Sequence, residues 1–395
     1  MLIRMAWQNI RYRFLQNLVL IVVTALAVGV SVFVLLLNHG LQQGMTKATE
    51  PFDLLIGAKG SDNQLVLNSV FLQDRPIGNI PYAVVNEMKA QSSHVQLAVP
   101  LAFGDNYRGF RIVGTTDEIF SYPIDAQRPQ WLQLEAGRSF SAPGEAVLGA
   151  ETARLAGLTV GDEFQSVHGL SSHTSTSAAV HKNGYTVVGI LKRAEGPYDQ
   201  AILVPIESVW DAHHREKGKE EVTAIMIKPK GYKEALQLYQ AFQKRQDSQM
   251  VFPAQVIVRL FSMMGQGEKI WTIISAAAIV MTVMVVMLVT YWSGLYRLRE
   301  LAIIKALGGS ARQMMLAIIA ENSLIIWLGA CCGWLLGEGI YWLARKELMT
   351  QTAVTMGFGL DWAALAAAAG TAVLGIAGAM IPAWVLSRRE ISRYL

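Results

Sequence analysis

Apolar residues are concentrated in four long runs along the chain. The runs cover residues 18–37, 270–292, 314–343 and 363–386. Each reaches the length of about 20 residues that a helix needs to cross the hydrocarbon core of a bilayer. Between the first two runs, residues 38–269 mix short β-type runs, helical periodicity and turn residues. Strands are predicted at residues 145–148, 163–167, 185–191 and 201–204 among others, and a helix at 255–269 is predicted to lead directly into the second run. The pattern predicts an α-helical membrane protein with four transmembrane helices and an α+β extracytoplasmic domain inserted between helices 1 and 2.

Basic residues in the short flanking segments predict the orientation of these helices. Residues 1–17 carry arginines and no acid, and residues 293–313 and 387–395 are also basic. The segment 344–362 carries equal numbers of basic and acidic residues. Because Lys and Arg are enriched in cytoplasmic loops, both termini and residues 293–313 are predicted to be cytoplasmic. Residues 38–269 and the short loop 344–362 are then extracytoplasmic.

The N-terminal tail, residues 1–17, also has the pattern of an amphipathic helix. Ile3, Ala6, Trp7 and Ile10 share one face, and the arginines lie elsewhere. A basic helix with an apolar stripe that bears a tryptophan suits the cytoplasmic surface of a membrane. We therefore expect this helix to contact membrane lipid.

Composition excludes several classes of function. Hydrophobic residues make up 52% of the chain and charged residues 16%, and the net charge is only +4, too small to indicate a nucleic-acid partner. The sequence contains no G-x-x-x-x-G-K-[ST] phosphate-binding loop and no H-E-x-x-H or G-x-S-x-G motif. The chain is therefore predicted to be non-catalytic and to bind no cofactor of its own. If ATP drives it, ATP and magnesium bind a partner chain.

The cytoplasmic segment 293–313 has helix signals of its own. A helical stretch ends at Gly308 and Gly309, since glycine is favoured just past a helix C-terminus. Ser310 and Gln313 then have the spacing of a capping box that opens the next helix. The pattern predicts a short cytoplasmic helix and a sharp turn back into the membrane. An ordinary basic loop that only fixes the topology is the alternative.

This segment resembles the hallmark of the FtsX-like permease family, which includes the macrolide-exporter and lipoprotein-releasing ABC permeases. The matching positions are Arg297, Glu300, Leu301, Ala302, Ile303, Lys305, Ala306, Leu307, Gly308, Gly309 and Ser310. The end of the fourth run, residues 382–388, is similar to the family's C-terminal motif. We expect this chain to be a family member without a fused ATPase domain.

The resemblance implies a permease subunit that couples ATP hydrolysis by a separate cytoplasmic ABC ATPase to movement of the extracytoplasmic domain. It implies a homodimer in the bacterial cytoplasmic (inner) membrane, with a periplasmic adaptor or binding protein as a further candidate partner. The residues that would couple to the ATPase are Arg297, Arg299, Glu300, Lys305, Gly308 and Gly309. Efflux or extraction of a substrate is the function that this assembly implies.

Five of the seven histidines lie between residues 168 and 214, in or near a polar stretch. They are His168, His173, His181, His213 and His214. Imidazole is a common ligand of zinc and copper, so a metal-binding region for zinc or haem is one interpretation. Their spacing matches no defined motif, and an ordinary polar loop is the alternative.

Three glycines are spaced by four residues along the third run: Gly329, Gly333 and Gly337. Such a face lets two membrane helices approach closely. We expect these glycines to pack against another helix, within the subunit or at the dimer contact.

Two other functions remain open at this point. The chain could be a membrane regulator that transmits ATPase motion to a periplasmic enzyme or senses a ligand. It could also be a permease for a metal or for haem. The residues do not distinguish export from import.

Overall fold

The computed structural model describes residues 14–169, 180–213, 218–296, 310–352, 354–357, 359 and 361–388. The chain divides into two compact units. The helical unit comprises the described residues of Met1–Gly40, Met264–Lys346 and Phe358–Leu395. The sheet unit comprises those of Leu41–Met263 and Glu347–Gly357. The predicted N-terminal amphipathic helix lies almost entirely outside the described residues.

The α-helices are numbered in chain order within the described part of the chain. They are α1 Phe14–Thr49, α2 Asp62–Ser69, α3 Ala83–Ala90, α4 Ala150–Ala156, α5 Ile206–Ala212, α6 Tyr232–Phe242, α7 Pro253–Tyr296, α8 Ala311–Thr352 and α9 Trp362–Arg388. Short 3-10 helices occur at Asp117–Ser121 and Pro197–Gln200.

The strands all lie in the sheet unit. They are β1 Leu54–Gly57, β2 Ile80–Pro81, β3 Val95–Tyr107, β4 Phe110–Thr115, β5 Leu134–Gly137, β6 Glu145–Leu148, β7 Glu163–His168, β8 Val180–Leu191, β9 Ala201–Pro205, β10 Glu221–Val222, β11 Ala224–Pro229 and β12 Gln249–Val251. The sheet unit is therefore a mixed α/β domain, as the sequence predicts.

Three helices of the described chain are long and apolar enough to cross a membrane. They cover Asn17–Thr49, Ile318–Met349 and Trp362–Leu386. In the predicted second span, the described apolar stretch is Ile279–Trp292, which is shorter than the roughly 20 residues a crossing requires. The transmembrane helix expected at residues 270–292 therefore remains a prediction.

Two of the long helices continue well beyond the apolar runs that predicted them. Helix α1 reaches Thr49 and helix α8 reaches Thr352, into stretches first assigned to the extracytoplasmic domain and to a loop. An apolar run marks only the part of a helix with apolar surroundings, whereas the i to i−4 hydrogen bonds of a helix continue equally well through polar residues. Helix α7 runs without interruption from Pro253 to Tyr296, in agreement with the helix predicted to lead into the second span.

Ten strands form one sheet with the order β12-β1-β11-β3-β4-β9-β6-β8-β5, and β7 pairs with both β3 and β8. Most neighbours are antiparallel, but β4 pairs with β9 and β6 pairs with β8 in parallel. Strands β2 and β10 form a separate two-stranded sheet.

The large sheet is buried on both faces, which explains the near-continuous apolar runs of its central strands. Side chains alternate between two core clusters along β1, with Leu55 in one and Leu54 and Ile56 in the other. Helices α3 and α6 cover the second cluster, through Val85 of α3 and Leu238 of α6 among others.

Candidate functional site

The three glycines of the predicted packing face lie against α1 within the helical unit. A Cβ atom added to Gly333 would lie 2.6 Å from the carbonyl oxygen of Ala25 and 2.7 Å from Cβ of Val28. Real Cβ atoms do not approach so closely, so the two backbones are in direct contact here because residue 333 has no side chain. This is the close approach that small residues allow between membrane helices.

The contact repeats one turn away in each direction. A Cβ on Gly337 would lie 2.8 Å from the carbonyl oxygen of Gly29, and one on Gly329 would lie 2.8 Å from Cβ of Thr24. The space beside all three glycines is therefore occupied by α1 of the same chain. Gly339, on another face of α8, has nothing within 4 Å of such a Cβ.

Helices α1, α7 and α8 each have one end in the sheet unit, and the ends of α1 and α7 pack into one face of the sheet. Ala48 near the end of α1 and Val256 and Ile257 at the start of α7 are buried in the same core cluster as Leu55 of the sheet. Val354, just after α8, belongs to that cluster too. The ends of α1 and α7 and the residue that follows α8 are therefore part of the hydrophobic core of the sheet unit.

Polar contacts join the same helix ends to the loop before β9. Lys47 forms an ion pair with Glu195 at 2.5 Å, and this hydrogen bond lowers the pKa of the Glu195 carboxyl. Thr355 donates a hydrogen bond to the backbone oxygen of Glu195. Gln200 donates to the backbone oxygen of Met349 at 3.4 Å. Exposed pairs of this kind contribute little to stability, so the apolar contacts hold the helix ends in place.

The residues predicted to couple to an ATPase, 297–309, lie outside the described residues. Their flanks are described. Helix α7 ends at Tyr296, and Ser310 precedes helix α8. The backbone N–H of Ser310 donates to the side chain of Gln313 at 3.0 Å, and the N–H of Gln313 donates to Oγ of Ser310 at 3.2 Å. This reciprocal pair confirms the predicted capping box.

Two of the five candidate histidines meet in the sheet unit beside a buried carboxylate. Nδ1 of His168 and Nε2 of His213 each lie 3.4 Å from Oδ1 of Asp105. The two imidazole rings are 5.0 Å apart between centroids. One ligand atom from each of the three residues lies within 4.8 Å of the others. Among the described residues, this is the arrangement of His and carboxylate groups that could hold a metal ion.

Strand pairing and a β-bulge position this cluster. Asp105 pairs directly with His168 across β3 and β7. The register of β3 against β4 shifts between Phe103 and Asn106, and such bulges re-aim side chains. The side chain of Asn106 donates a hydrogen bond to the backbone oxygen of Gly169 at 2.8 Å, and this bond connects β3 to the residue that follows β7.

His213 reaches the cluster from the C-terminal end of α5. Its backbone N–H closes the last turn of α5 by donating to the oxygens of Val209 and Trp210, both at 3.2 Å. A Cβ added to Gly104 would lie 2.8 Å from Nε2 of His213, so the imidazole lies directly on the backbone of β3. Glycine at position 104 provides the space for this ring.

The other three histidines are not part of the described cluster. His173 and His214 lie outside the described residues. His181 lies in β8, where the structure describes its backbone but not its side chain. Asp105 is the residue that the sequence did not suggest, and the only signal for it was its position as the one charged residue of β3.

A cavity of about 250 Å³ is lined by the same elements that carry the two histidines. Residues from β7, β8 and α5 that line it include Ser166, Tyr185 and Asp211. Burial, followed by the negative charges of Asp105 and Asp211, raises the pKa of Tyr185. The phenol therefore stays protonated at neutral pH and is available as a hydrogen-bond donor.

Comparison with protein families decides what kind of protein these two units form. Residues 18–245 match the MacB-like periplasmic core domain, and residues 272–391 match the FtsX-like permease C-terminal domain. The chain belongs to the FtsX-like ABC permease family. The sequence resemblance is thereby confirmed across almost the whole chain. No curated protein sequence matches the chain significantly.

Membership in the FtsX-like family makes the chain a permease subunit of an ABC transporter, and subunits of this kind are non-catalytic. It is a membrane protein with a periplasmic core domain, and such a transporter normally includes a cytoplasmic ATPase. Among solved structures, it is similar to a domain of a permease protein from Porphyromonas gingivalis. That match has 12% identity and a TM-score of 0.28, and it covers 50% of this chain and 87% of the other.

Proposed function

We propose that this permease is a mechanotransmission subunit. It couples ATP hydrolysis by a separate cytoplasmic ATPase to movement of its periplasmic sheet unit, for the export or extraction of a substrate. One observation carries the proposal: α1, α7 and α8 are each a single helix with residues in both units. Their ends are buried in the core of the sheet unit, at Ala48, at Val256 and beside Val354.

The physical argument follows from the stiffness of helices and cores. A continuous helix keeps its backbone hydrogen bonds along its length, so displacement of one end is carried to the other. The far ends lie among close-packed side chains such as Leu55 and Val99, and a close-packed interior transmits strain because it is hard to compress. Motion that reaches these ends therefore moves the sheet unit as a body.

The predicted coupling segment, residues 297–309, joins two of these three helices. It follows α7 directly and ends at the capping box that opens α8. An ATPase bound to this segment would therefore act on both helices at once. We propose that Arg297, Arg299, Glu300 and Lys305 bind the ATPase, that Gly308 and Gly309 form the turn, and that two copies of the chain carry two ATPases.

Charge reversal in the coupling segment tests the proposed ATPase contact. We expect the double variant Glu300→Lys and Lys305→Glu to lower transport-coupled ATP hydrolysis by about tenfold or more, because two charged contacts become repulsive. Co-purification of the ATPase with the permease should fall in parallel. Both are measured on the full-length protein in lipid nanodiscs with its cognate ATPase.

The matched control reverses charge near the other end of α8. Lys346→Glu and Glu347→Lys reverse two charges without changing the net charge, as the test variant does, at positions predicted to be periplasmic. These changes should leave ATPase binding and hydrolysis at the level of the unaltered protein. Normal coupling in the Glu300 and Lys305 variant would contradict the assignment of this segment as the ATPase contact.

A further inference from the structure

We propose that Asp105, His168 and His213 form a binding site for a divalent transition-metal ion of the zinc class. The site lies within the periplasmic sheet unit. The inference goes beyond the proposed coupling function and is independent of it, because no residue of the site belongs to the helical unit. It also narrows the five candidate histidines to two and adds a carboxylate ligand.

Two of the three distances between the ligand atoms fit a tetrahedral ion, and the third is at most 4.8 Å. Zinc binds imidazole nitrogen and carboxylate oxygen at about 2.0–2.1 Å, which places neighbouring ligand atoms of a tetrahedron about 3.3–3.4 Å apart. Both histidine nitrogens lie 3.4 Å from Oδ1 of Asp105. This separation is longer than the usual 2.8–3.0 Å or so of a hydrogen bond to a carboxylate. Small adjustments of three side chains would therefore create a coordination sphere.

The donor set selects the class of metal. Two imidazoles and one carboxylate suit zinc and its neighbours, whereas calcium and magnesium prefer oxygen ligands alone. Three protein ligands leave one tetrahedral position for water or for another side chain, as in zinc sites that keep an open position. Haem would need room for a macrocycle, and nothing in the described cluster provides such a slot.

The exposure of the ligand side chains to solvent also suits a metal site. The side chain of Asp105 is fully buried, at 0% exposure, while that of His168 is 57% exposed. A divalent ion would balance the negative charge of the buried carboxylate, and it could enter from solvent on the His168 side. A protonated histidine could balance the same charge, so an ion-pair cluster without metal is the competing explanation and an outcome of the test.

The scaffold holds the ligands before any metal arrives. Asp105 and His168 are paired across two strands, and His213 caps a helix that packs on the same sheet through Val209. Ligands on strands and helix ends are placed more accurately than ligands on loops. Gly104 contributes by leaving space for the imidazole of His213.

Metal binding to the full-length protein in detergent tests the site, with zinc and cobalt as probes. We expect one saturable zinc site with a dissociation constant of about 1 μM or below, and visible absorption of bound Co²⁺ typical of tetrahedral coordination. His168→Ala, His213→Ala and Asp105→Asn should each weaken binding by at least about tenfold. Zinc should raise the melting temperature of the unaltered protein but not of these variants.

Controls separate the proposed ligands from the other histidines. His94→Ala, which changes a histidine elsewhere in the sheet unit, should leave the affinity unchanged. Gly104→Ala should weaken binding while the protein still folds, because its methyl group displaces the His213 ring. The triple variant His173→Ala, His181→Ala and His214→Ala should bind zinc with the affinity of the unaltered protein.

Two results would overturn the proposal. One is the absence of saturable zinc binding to the unaltered protein in the micromolar range, which would leave an ion-pair cluster only. The other is full binding in the double variant His168→Ala and His213→Ala, since the metal would then be held elsewhere. Neither result bears on the coupling function, whose test uses ATPase binding and hydrolysis.

Discussion

Gly333→Ala is expected to lower the thermal stability of the protein, whereas Gly339→Ala is expected to leave it unchanged or raise it. The methyl group at position 333 would meet the backbone oxygen of Ala25 at 2.6 Å and would force α1 and α8 apart. Overpacking of this kind costs about 1–3 kcal/mol. At position 339 the methyl group meets nothing within 4 Å, and alanine favours a helix over glycine by up to about 1 kcal/mol.

The two variants form a matched pair, because the same substitution on the same helix should lower the melting temperature at position 333 and should not lower it at position 339. The measurement is the melting temperature in detergent, followed by the amount of monodisperse protein on size-exclusion chromatography. Gly329→Ala and Gly337→Ala should resemble Gly333→Ala, since each would bring a Cβ within 2.8 Å of α1. Equal melting temperatures for the alanine variants at 333 and 339 would mean that these helices do not touch as described.

Val258→Pro is expected to weaken the transmission of ATP-driven motion to the sheet unit without preventing its folding, since α1 and α8 still have residues in both units. Val258 lies in the second turn of α7 and is 68% exposed, so its side chain is not needed by the core. Proline removes a backbone hydrogen bond and clashes with the preceding turn, which costs a helix about 3 kcal/mol. The helix should kink within its sheet-unit part, just after Val256 and Ile257, which stay buried.

Spin labels on the two units measure this effect. The two free cysteines, Cys331 and Cys332, are first replaced by serine, and labels are attached at Tyr232→Cys and Trp362→Cys, both highly exposed positions. With the cognate ATPase present, addition of ATP should change the distance distribution between the labels. The change should be clearly smaller in Val258→Pro and of normal size in Val258→Ala, which keeps the helix continuous.

The ATPase should still bind the Val258→Pro variant, because residues 297–309 are unaltered. This separates the variant from the charge reversals at Glu300 and Lys305, which are expected to release the ATPase itself. An ATP-dependent distance change of normal size in Val258→Pro would contradict the role of α7 as a mechanical connection.

The local elements of the sheet unit were largely readable from the sequence. Apolar runs bounded by glycine and proline predicted strands at residues 145–148, 163–167, 185–191 and 201–204, and the structure has β6, β7, β8 and β9 there. The helix predicted at 255–269 forms the first part of α7. These elements depend on side-chain patterns within a few residues, which any sequence displays directly.

The cluster of Asp105, His168 and His213 could be found only in part from the sequence. Crowding of histidines between residues 168 and 214 pointed to the region that contains two of its residues, but it gave His168 and His213 no preference over their neighbours. Asp105 carried no such signal, since its partners are distant in the chain and meet it through the pairing of β3 with β7. Contacts between distant segments depend on strand order and register, which local patterns do not encode.

By itself, the sequence determined that this chain is a membrane protein with a large domain between its first helix and the others, because bilayer thickness and charge placement act on the chain locally. It also indicated the permease family, through its resemblance to the family motif around Gly308 and Gly309. Only the tertiary structure decided that α1 fills the glycine face of α8, that the ends of α1 and α7 and the residue Val354 after α8 belong to the core of the sheet unit, and that two histidines share one buried carboxylate. These facts arise where separate segments pack together, and packing depends on the whole chain at once.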